Sequence, residues 1–360
     1  MSNLSEYDEE CAMNEIKHGR SNTIKKILIA AVCICLAFCI ICPAATAIIH
    51  GAVMGRCDYD KYAADRYLTY DDVKDNYPRK TIHFESGENT LSAYLYGEEN
   101  GKGIIVVAPG HTDANDIKLY EIRYFVDAGY KVLCFDYTGC YTSEGKTFGG
   151  YTQAVYDLDA LLGFIENSDE FDGTSIYLFG HSLGGYAVSA VLAKGHDVQA
   201  VVSASGFDTA DEQWHYSIGK YTGFLYPVIR PFNSLFISMK YGDDKSLSAV
   251  DGINSTDVPV LVISAEDDSF YGGTSPIYRR RDEITNPNCT FILMNEENHN
   301  GHYDYFLTDE ALAYQKSAPD TNIDKELYME HDADTMQMII SFFDNSLSEK
   351  TPYQTIEGQT

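Results

Sequence analysis

Positive charge is what this sequence has least of. Lys and Arg together number 26 against 54 Asp and Glu, giving a formal net charge of -28. A surface of that sign repels phosphate backbones and anionic headgroups, which argues against a nucleic-acid partner and against electrostatic adhesion to acidic lipid. Metal-ligand spacing is missing as well. Outside the apolar segment the cysteines Cys57, Cys134, Cys140 and Cys289 include no C-x-x-C pair and no zinc-type spacing, so no metal is expected on them. There is no internal repeat, which removes solenoids and propellers. Finally, one stretch has no charge at all.

That stretch runs from Ile27 to Ile49, ILIAAVCICLAFCIICPAATAII. As a helix it reaches roughly 35 Å, against about 30 Å of bilayer hydrocarbon. Lys25 and Lys26 precede it directly, with Lys17 and Arg20 upstream; Arg56, Lys61 and Arg66 follow. The Lys pair favours a short cytoplasmic tail (1–26), a single-pass signal anchor (27–49) and an extracytoplasmic domain. The rival is a signal peptide cleaved at Ala45-Thr46-Ala47, leaving a secreted protein. The apolar run is long for a signal core and the preceding tail is long and acidic, which favours the anchor. Phe38 before Cys39 spoils a lipoprotein site. Cys33, Cys35, Cys39 and Cys42 behave as small hydrophobes in this run. Cys134 reads as core, and a disulfide among Cys57, Cys134, Cys140 and Cys289 is left open.

Residues 50–76 are polar and tyrosine-rich and read as a linker. From 77 to 347 short apolar runs alternate with helix-period stretches. The runs are 104–108, 131–136, 176–179, 198–203, 258–264 and 291–294; the main helical stretches are 116–128, 151–166, 182–194, 303–315 and 324–347. Such alternation predicts βαβ units and a mostly parallel sheet. Upstream, 81–85 and 91–96 suit an antiparallel pair at one edge. Residues 205–257 break the rhythm and are rich in aromatics, including Trp214, Tyr216, Phe232 and Phe236. They read as a cap inserted over the carboxyl edge of the sheet. Residues 348–360 read as a disordered tail.

Within this pattern, Gly180-His181-Ser182-Leu183-Gly184 has an apolar run before it and a helix-period segment after it, with Gly195 as a C-cap. It is either a nucleophile elbow or a glycine-rich turn; strand, sharp turn and helix favour the elbow. A serine hydroxyl needs a base to take its proton and an acid to orient that base. Carboxylates Asp267 and Asp268 follow the 258–264 run, and His299 and His302 follow the last run. The chain order is Ser, Asp, His. His299 and His302 beside Asp304 form no metal set, because no third cluster joins them.

These residues resemble the α/β-hydrolase superfamily over roughly residues 80 to 345, most closely bacterial serine hydrolases of the serine-aminopeptidase-like (S33-type) group. Ala108-Pro109-Gly110-His111-Thr112 resembles the family's oxyanion loop. Phe135 to Gly145 resembles its F-D-x-x-G-x-G-x-S-x-G stretch, with Cys140 and Tyr141 breaking the glycine pattern. Ala265 to Asp268 resembles G-x-x-D and Gly301-His302 resembles G-H. The resemblance implies Ser182 as nucleophile, His302 as base and Asp268 as acid, with the backbone N–H groups of His111 and Leu183 holding the oxyanion. It implies an acyl-ester hydrolase, a carboxylesterase or lipase-like enzyme acting on a small acyl substrate and requiring no metal or organic cofactor. Its alternatives are an exopeptidase using Asp208, Asp211 or Glu212, an acyltransferase, or an inactive binding ectodomain.

Overall fold

The computed structural model describes residues 2–58 and 65–347. The tail expected at 348–360, and residues 59–64 of the expected linker, lie outside them. Eight strands form one sheet in the order β1-β2-β4-β3-β5-β6-β7-β8. They are β1 Arg79–Ser86, β2 Asn89–Tyr96, β3 Ile104–Ala108, β4 Lys131–Phe135, β5 Ile176–His181, β6 Val198–Ala204, β7 Val260–Ala265 and β8 Cys289–Met294. β1 and β2 pair antiparallel, β2 meets β4 antiparallel, and every later pairing is parallel.

The parallel strands are apolar on both faces because both faces are covered. Successive residues of β3 go to opposite sides: Ile104, Val106 and Ala108 join one core cluster, Ile105 and Val107 the other. The longer helices are α1 Ser2–Val53, α2 Leu119–Asp127, α3 Tyr151–Glu166, α4 Leu183–Ala190, α5 Ala210–Thr222, α6 Tyr226–Tyr241, α7 Asp309–Ser317 and α8 Ala333–Leu347. α3 and α4 cover the first face, α2 and α8 the second.

One expected helix is two. The 324–347 stretch divides into a single turn, Lys325–Tyr328, and α8. Between them His331 bridges to Leu307, and Asp332 donates its N–H to the Phe306 carbonyl. The Asp332 carboxylate then accepts the Thr335 N–H at 2.7 Å and starts α8 afresh. The residues between β6 and β7 are helical, and α5 and α6 form the cap.

α1 is continuous through the uncharged run and extends to Val53, beyond the expected boundary at Ile49. Thr23–Val53 has a mean hydropathy of 2.9 and is long and apolar enough to cross a membrane or to be a signal sequence. Its second half packs on α6. Phe38 meets Phe232 edge-on at 5.7 Å, and His50 lies 4.4 Å from the Phe236 ring and 4.2 Å from Trp214. The His50 ring also hydrogen-bonds Asn233 at 2.5 Å.

Candidate functional site

β5 ends at His181 and α4 starts at Leu183, so the chain reverses within one residue. That residue, Ser182, has φ 57° and ψ -114°. A non-glycine residue there is strained, at a cost of about 1–3 kcal/mol. The turn is fixed from outside: Ser182 donates its N–H to the Ala204 carbonyl of β6 and accepts from Tyr186. The flanking glycines are steric requirements. A Cβ on Gly180 would overlap the Gly184 backbone, and one on Gly184 would overlap the Ala108 carbonyl at the end of β3. The same closeness brings the loop after β3 beside the first turn of α4. The Leu183 N–H belongs to that first turn, where helix geometry provides no intrahelical acceptor.

Two further side chains meet at the neighbouring strand ends. Asp268, three residues past β7, has 0% exposure, whereas Asp267 beside it is exposed. One Asp268 oxygen accepts the Phe270 N–H at 2.9 Å; the other accepts Nδ1–H of His302 at 2.6 Å. The carboxylate can only accept, so this bond places the proton on Nδ1 and leaves Nε2 as an acceptor. His302 is further held by Phe270, whose ring stacks on it at 5.3 Å. His181 donates Nε2–H to the His302 carbonyl at 2.8 Å, joining the residue before Ser182 to the histidine loop. Burial keeps the His181 ring well below its ordinary pKa, hence neutral.

His299 goes elsewhere. Its ring bonds Asp309 and the Asp304 carbonyl, and it lines an open, acid-rich cleft of about 560 Å³ against α7 and α8. Among the described residues no group of His, Cys, Asp and Glu has the arrangement of a metal site.

His111 lies in the loop after β3, its ring 5.5 Å from Phe148 and 5.4 Å from Tyr151. This loop is tied down by hydroxyls from the stretch after β4. Tyr137 donates to the Pro109 carbonyl at 3.0 Å, and Tyr141 donates to the Thr112 carbonyl. Tyr141, standing where the family pattern has glycine, takes φ 47°, so the departure from the pattern keeps the left-handed backbone. A buried ion cluster adds support. Lys118, 1% exposed, bridges Asp113 of this loop and Glu121, each at 3.2 Å. Burial alone would depress the ammonium, but Glu121 and Asp113 hold it above its ordinary value. Tyr303, next to His302, donates to Glu121 at 2.9 Å, so the cluster reaches both loops.

Sequence reasoning missed Tyr271. Its hydroxyl donates to the Ser205 carbonyl at 3.2 Å; its ring lies 5.5 Å from His302 and 5.1 Å from Tyr216 of the cap. No motif marks it: one aromatic two residues past an acid loop carries no signal.

Comparison with known proteins follows this geometry. The family model described as serine aminopeptidase, S33, matches residues 99–249. The quorum-quenching protein AidA of Acinetobacter baumannii is 30% identical over 131 residues, 35% of this chain and 43% of that protein. The lysophosphatidylserine lipase ABHD12 of Danio rerio is 26% identical over 180 residues, 49% of this chain and 42% of that protein. The chain thus spans less than half the length of these two curated relatives. Among solved structures, the Pyrococcus furiosus esterase Pf2001 superposes with a TM-score of 0.56 at 15% identity, covering 81% of this chain and 98% of that one.

Proposed function

We propose that the chain is a member of the α/β-hydrolase superfamily, a serine hydrolase cleaving an acyl ester through Ser182, His302 and Asp268; the serine aminopeptidase match over residues 99–249 supports this reading. The observation that carries this reading is a strained serine at the end of β5 flanked by a hydrogen-bonded His–Asp pair at the ends of β7 and β8. A binding surface has no use for that strain.

In this mechanism Ser182 Oγ attacks the acyl carbonyl while His302 Nε2 takes its proton. Asp268 holds the imidazole in the required tautomer and stabilises the imidazolium. The N–H groups of His111 and Leu183 receive the oxyanion, each worth about 3 kcal/mol in the transition state. The alcohol leaves with the proton from His302, giving an acyl-enzyme. Water, deprotonated by the same nitrogen, releases the acid and restores Ser182.

The cap favours an ester over a peptide with a free amino terminus. Asp208 is engaged by Ser248, the Val250 N–H and Arg280; Asp211 pairs with Arg230 at 2.7 Å. Burial pushes the Glu212 carboxyl up, the wrong direction for holding an ammonium.

Thr23–Val53 serves in this reading as an uncleaved membrane anchor, with the domain extracytoplasmic. Packing of α1 on the cap at both Phe38 and His50 supports it, since cleavage at Ala45–Ala47 would strip Phe38 from Phe232. The exposed apolar residues Val228, Leu235 and Met239 of α6 then face the membrane beside α1.

The function is tested by hydrolysis of p-nitrophenyl esters of increasing chain length, with aminoacyl p-nitroanilides in parallel. The proposal expects ester turnover that Ser182→Ala abolishes. Turnover of anilides alone, or ester turnover unchanged in Ser182→Ala, would overturn it.

A further inference from the structure

Cys57 stands just after α1, and Cys140 lies in the stretch that follows β4. The sequence gives no reason to pair them, yet the fold lays their backbones side by side. They form an isolated parallel bridge in which Cys57 donates its N–H to the Gly139 carbonyl at 2.9 Å and accepts from the Tyr141 N–H at 2.7 Å. Residues paired in this way have Cα atoms about 5 Å apart, within the range that a disulfide spans. Both thiols are free, and the bridge sets their side chains next to each other. Arg56 secures the same register by donating to the Ser143 carbonyl at 3.2 Å and the Gly145 carbonyl at 2.9 Å. No other cysteine outside α1 has such a neighbour among the described residues: Cys134 is sealed in the sheet, and Cys289 opens β8.

We propose that Cys57 and Cys140 form a disulfide that staples the end of the anchor helix to the loop supporting the oxyanion site. The proposal rests on the extracytoplasmic placement given above, where thiols oxidise and stay oxidised.

The exchange balances with a disulfide oxidant such as oxidised glutathione or an oxidised dithiol protein. Cys57, partly exposed, attacks first as thiolate, forming a mixed disulfide and releasing one thiol of the oxidant. The neighbouring Cys140 lowers the Cys57 thiol below its ordinary pKa, while Cys57 and burial push the Cys140 thiol up. Cys140 then attacks Cys57 Sγ, releasing the second thiol. The protein loses two thiol hydrogens, and the oxidant gains both as two thiols.

The staple acts on the site through Tyr137 and Tyr141, which hold the Pro109 and Thr112 carbonyls on either side of His111. Cys140 sits between these two tyrosines in the chain. Closing the bridge therefore fixes the loop that carries one oxyanion donor, and fixes the domain against its anchor.

The test uses the full chain, purified in detergent from an oxidising compartment, alkylated before and after reduction, and digested for peptide mass spectrometry. A peptide pair linked through Cys57 and Cys140 that disappears on reduction is the expected result. Reduction, Cys57→Ser and Cys140→Ser should each lower Tm by roughly 5–10 °C, and reduction should add nothing to either variant. Two thiols that are free as isolated but close with excess oxidised glutathione would overturn the native bridge and the compartment reading, leaving the hydrolase reading intact. Thiols that are free and never close would overturn the pairing itself. Ester turnover on the same sample separates failure of this proposal from failure of the hydrolase reading.

Discussion

The sheet and the cap bury their apolar residues by opposite means. Around the candidate site the sheet is self-sufficient: Val106, Leu178, Val202 and Ile263 are all 0% exposed, covered on both faces by helices of the same domain. The cap is not. Leu235 is 58% and Met239 80% exposed on α6, and the ring of Phe232 is met by Phe38 of α1. A fold that closes its catalytic core so completely has no general shortage of covering elements. In the proposed reading the open face of α6, next to the one helix among the described residues long and apolar enough to cross a membrane, meets a second solvent. On the proposed function the difference separates two jobs: the sheet would hold the reacting groups rigid, and the cap would relate the site to its surroundings.

The largest expected effect is on the rigid side. Asp268→Asn keeps an acceptor for the Phe270 N–H but offers His302 the wrong partner, so kcat for ester hydrolysis should fall about 10³–10⁴-fold with little change in KM. Loss below tenfold, measured by steady-state kinetics, would remove Asp268 from the reaction.

The comparison itself is read by paired truncations. Leu178→Ala should cost about 2–5 kcal/mol in denaturant unfolding, because the cavity it leaves in the sheet cannot collapse. Leu235→Ala on α6 should stay within about 0.5 kcal/mol. Equal costs would mean that α6 is covered by protein rather than lipid.

A smaller effect follows from charge on that face. Leu235→Glu with Met239→Glu should leave turnover of a short soluble ester unchanged while lowering, by a few-fold, turnover of a long-chain ester presented in vesicles. No difference between the two substrates would detach the cap face from the membrane.

The smallest effect tests the core body's own surface. The His196 ring bonds Asp159 at 2.7 Å and Glu166 at 2.9 Å, and these carboxylates raise its pKa. Stability from this contact is present below the unfolded value of about 6.5 and is lost as pH rises through the higher folded value. The Tm advantage of wild type over His196→Gln should therefore be visible near pH 5.5 and gone by about pH 9. An advantage that grows with pH would contradict the assignment.

How much of this was legible in the sequence follows the same division. The strand rhythm, the antiparallel pair at the edge and the bounds of α3 could be read directly, because apolar runs of four to seven residues between helix periods have one economical solution. The sharp turn was legible because an apolar run precedes Gly180 and a helix-period segment follows Gly184, although the contact of Gly184 with the Ala108 carbonyl depends on β3. The choice of Asp268 over Asp267 and of His302 over His299 needed the family resemblance, since adjacent carboxylates look alike until burial separates them and nearby histidines until their hydrogen-bond partners do. Contacts between distant segments had no signal: Phe38 on Phe232, Cys57 on Cys140 and Tyr271 on His302 each depend on where a loop or helix lands. The break between Tyr328 and Ala333 was hidden for the same reason, because a bridge from Leu307 makes it.

The central claim is that Ser182 is an activated nucleophile. Its most direct measurement is treatment of the full chain with a fluorophosphonate, followed by peptide mapping of the adduct. The account predicts one stoichiometric adduct on the peptide carrying Ser182, absent from Ser182→Ala and greatly slowed in Asp268→Asn. A folded protein that takes no adduct, or takes it elsewhere, would contradict the account and leave Gly180–Gly184 as a structural turn.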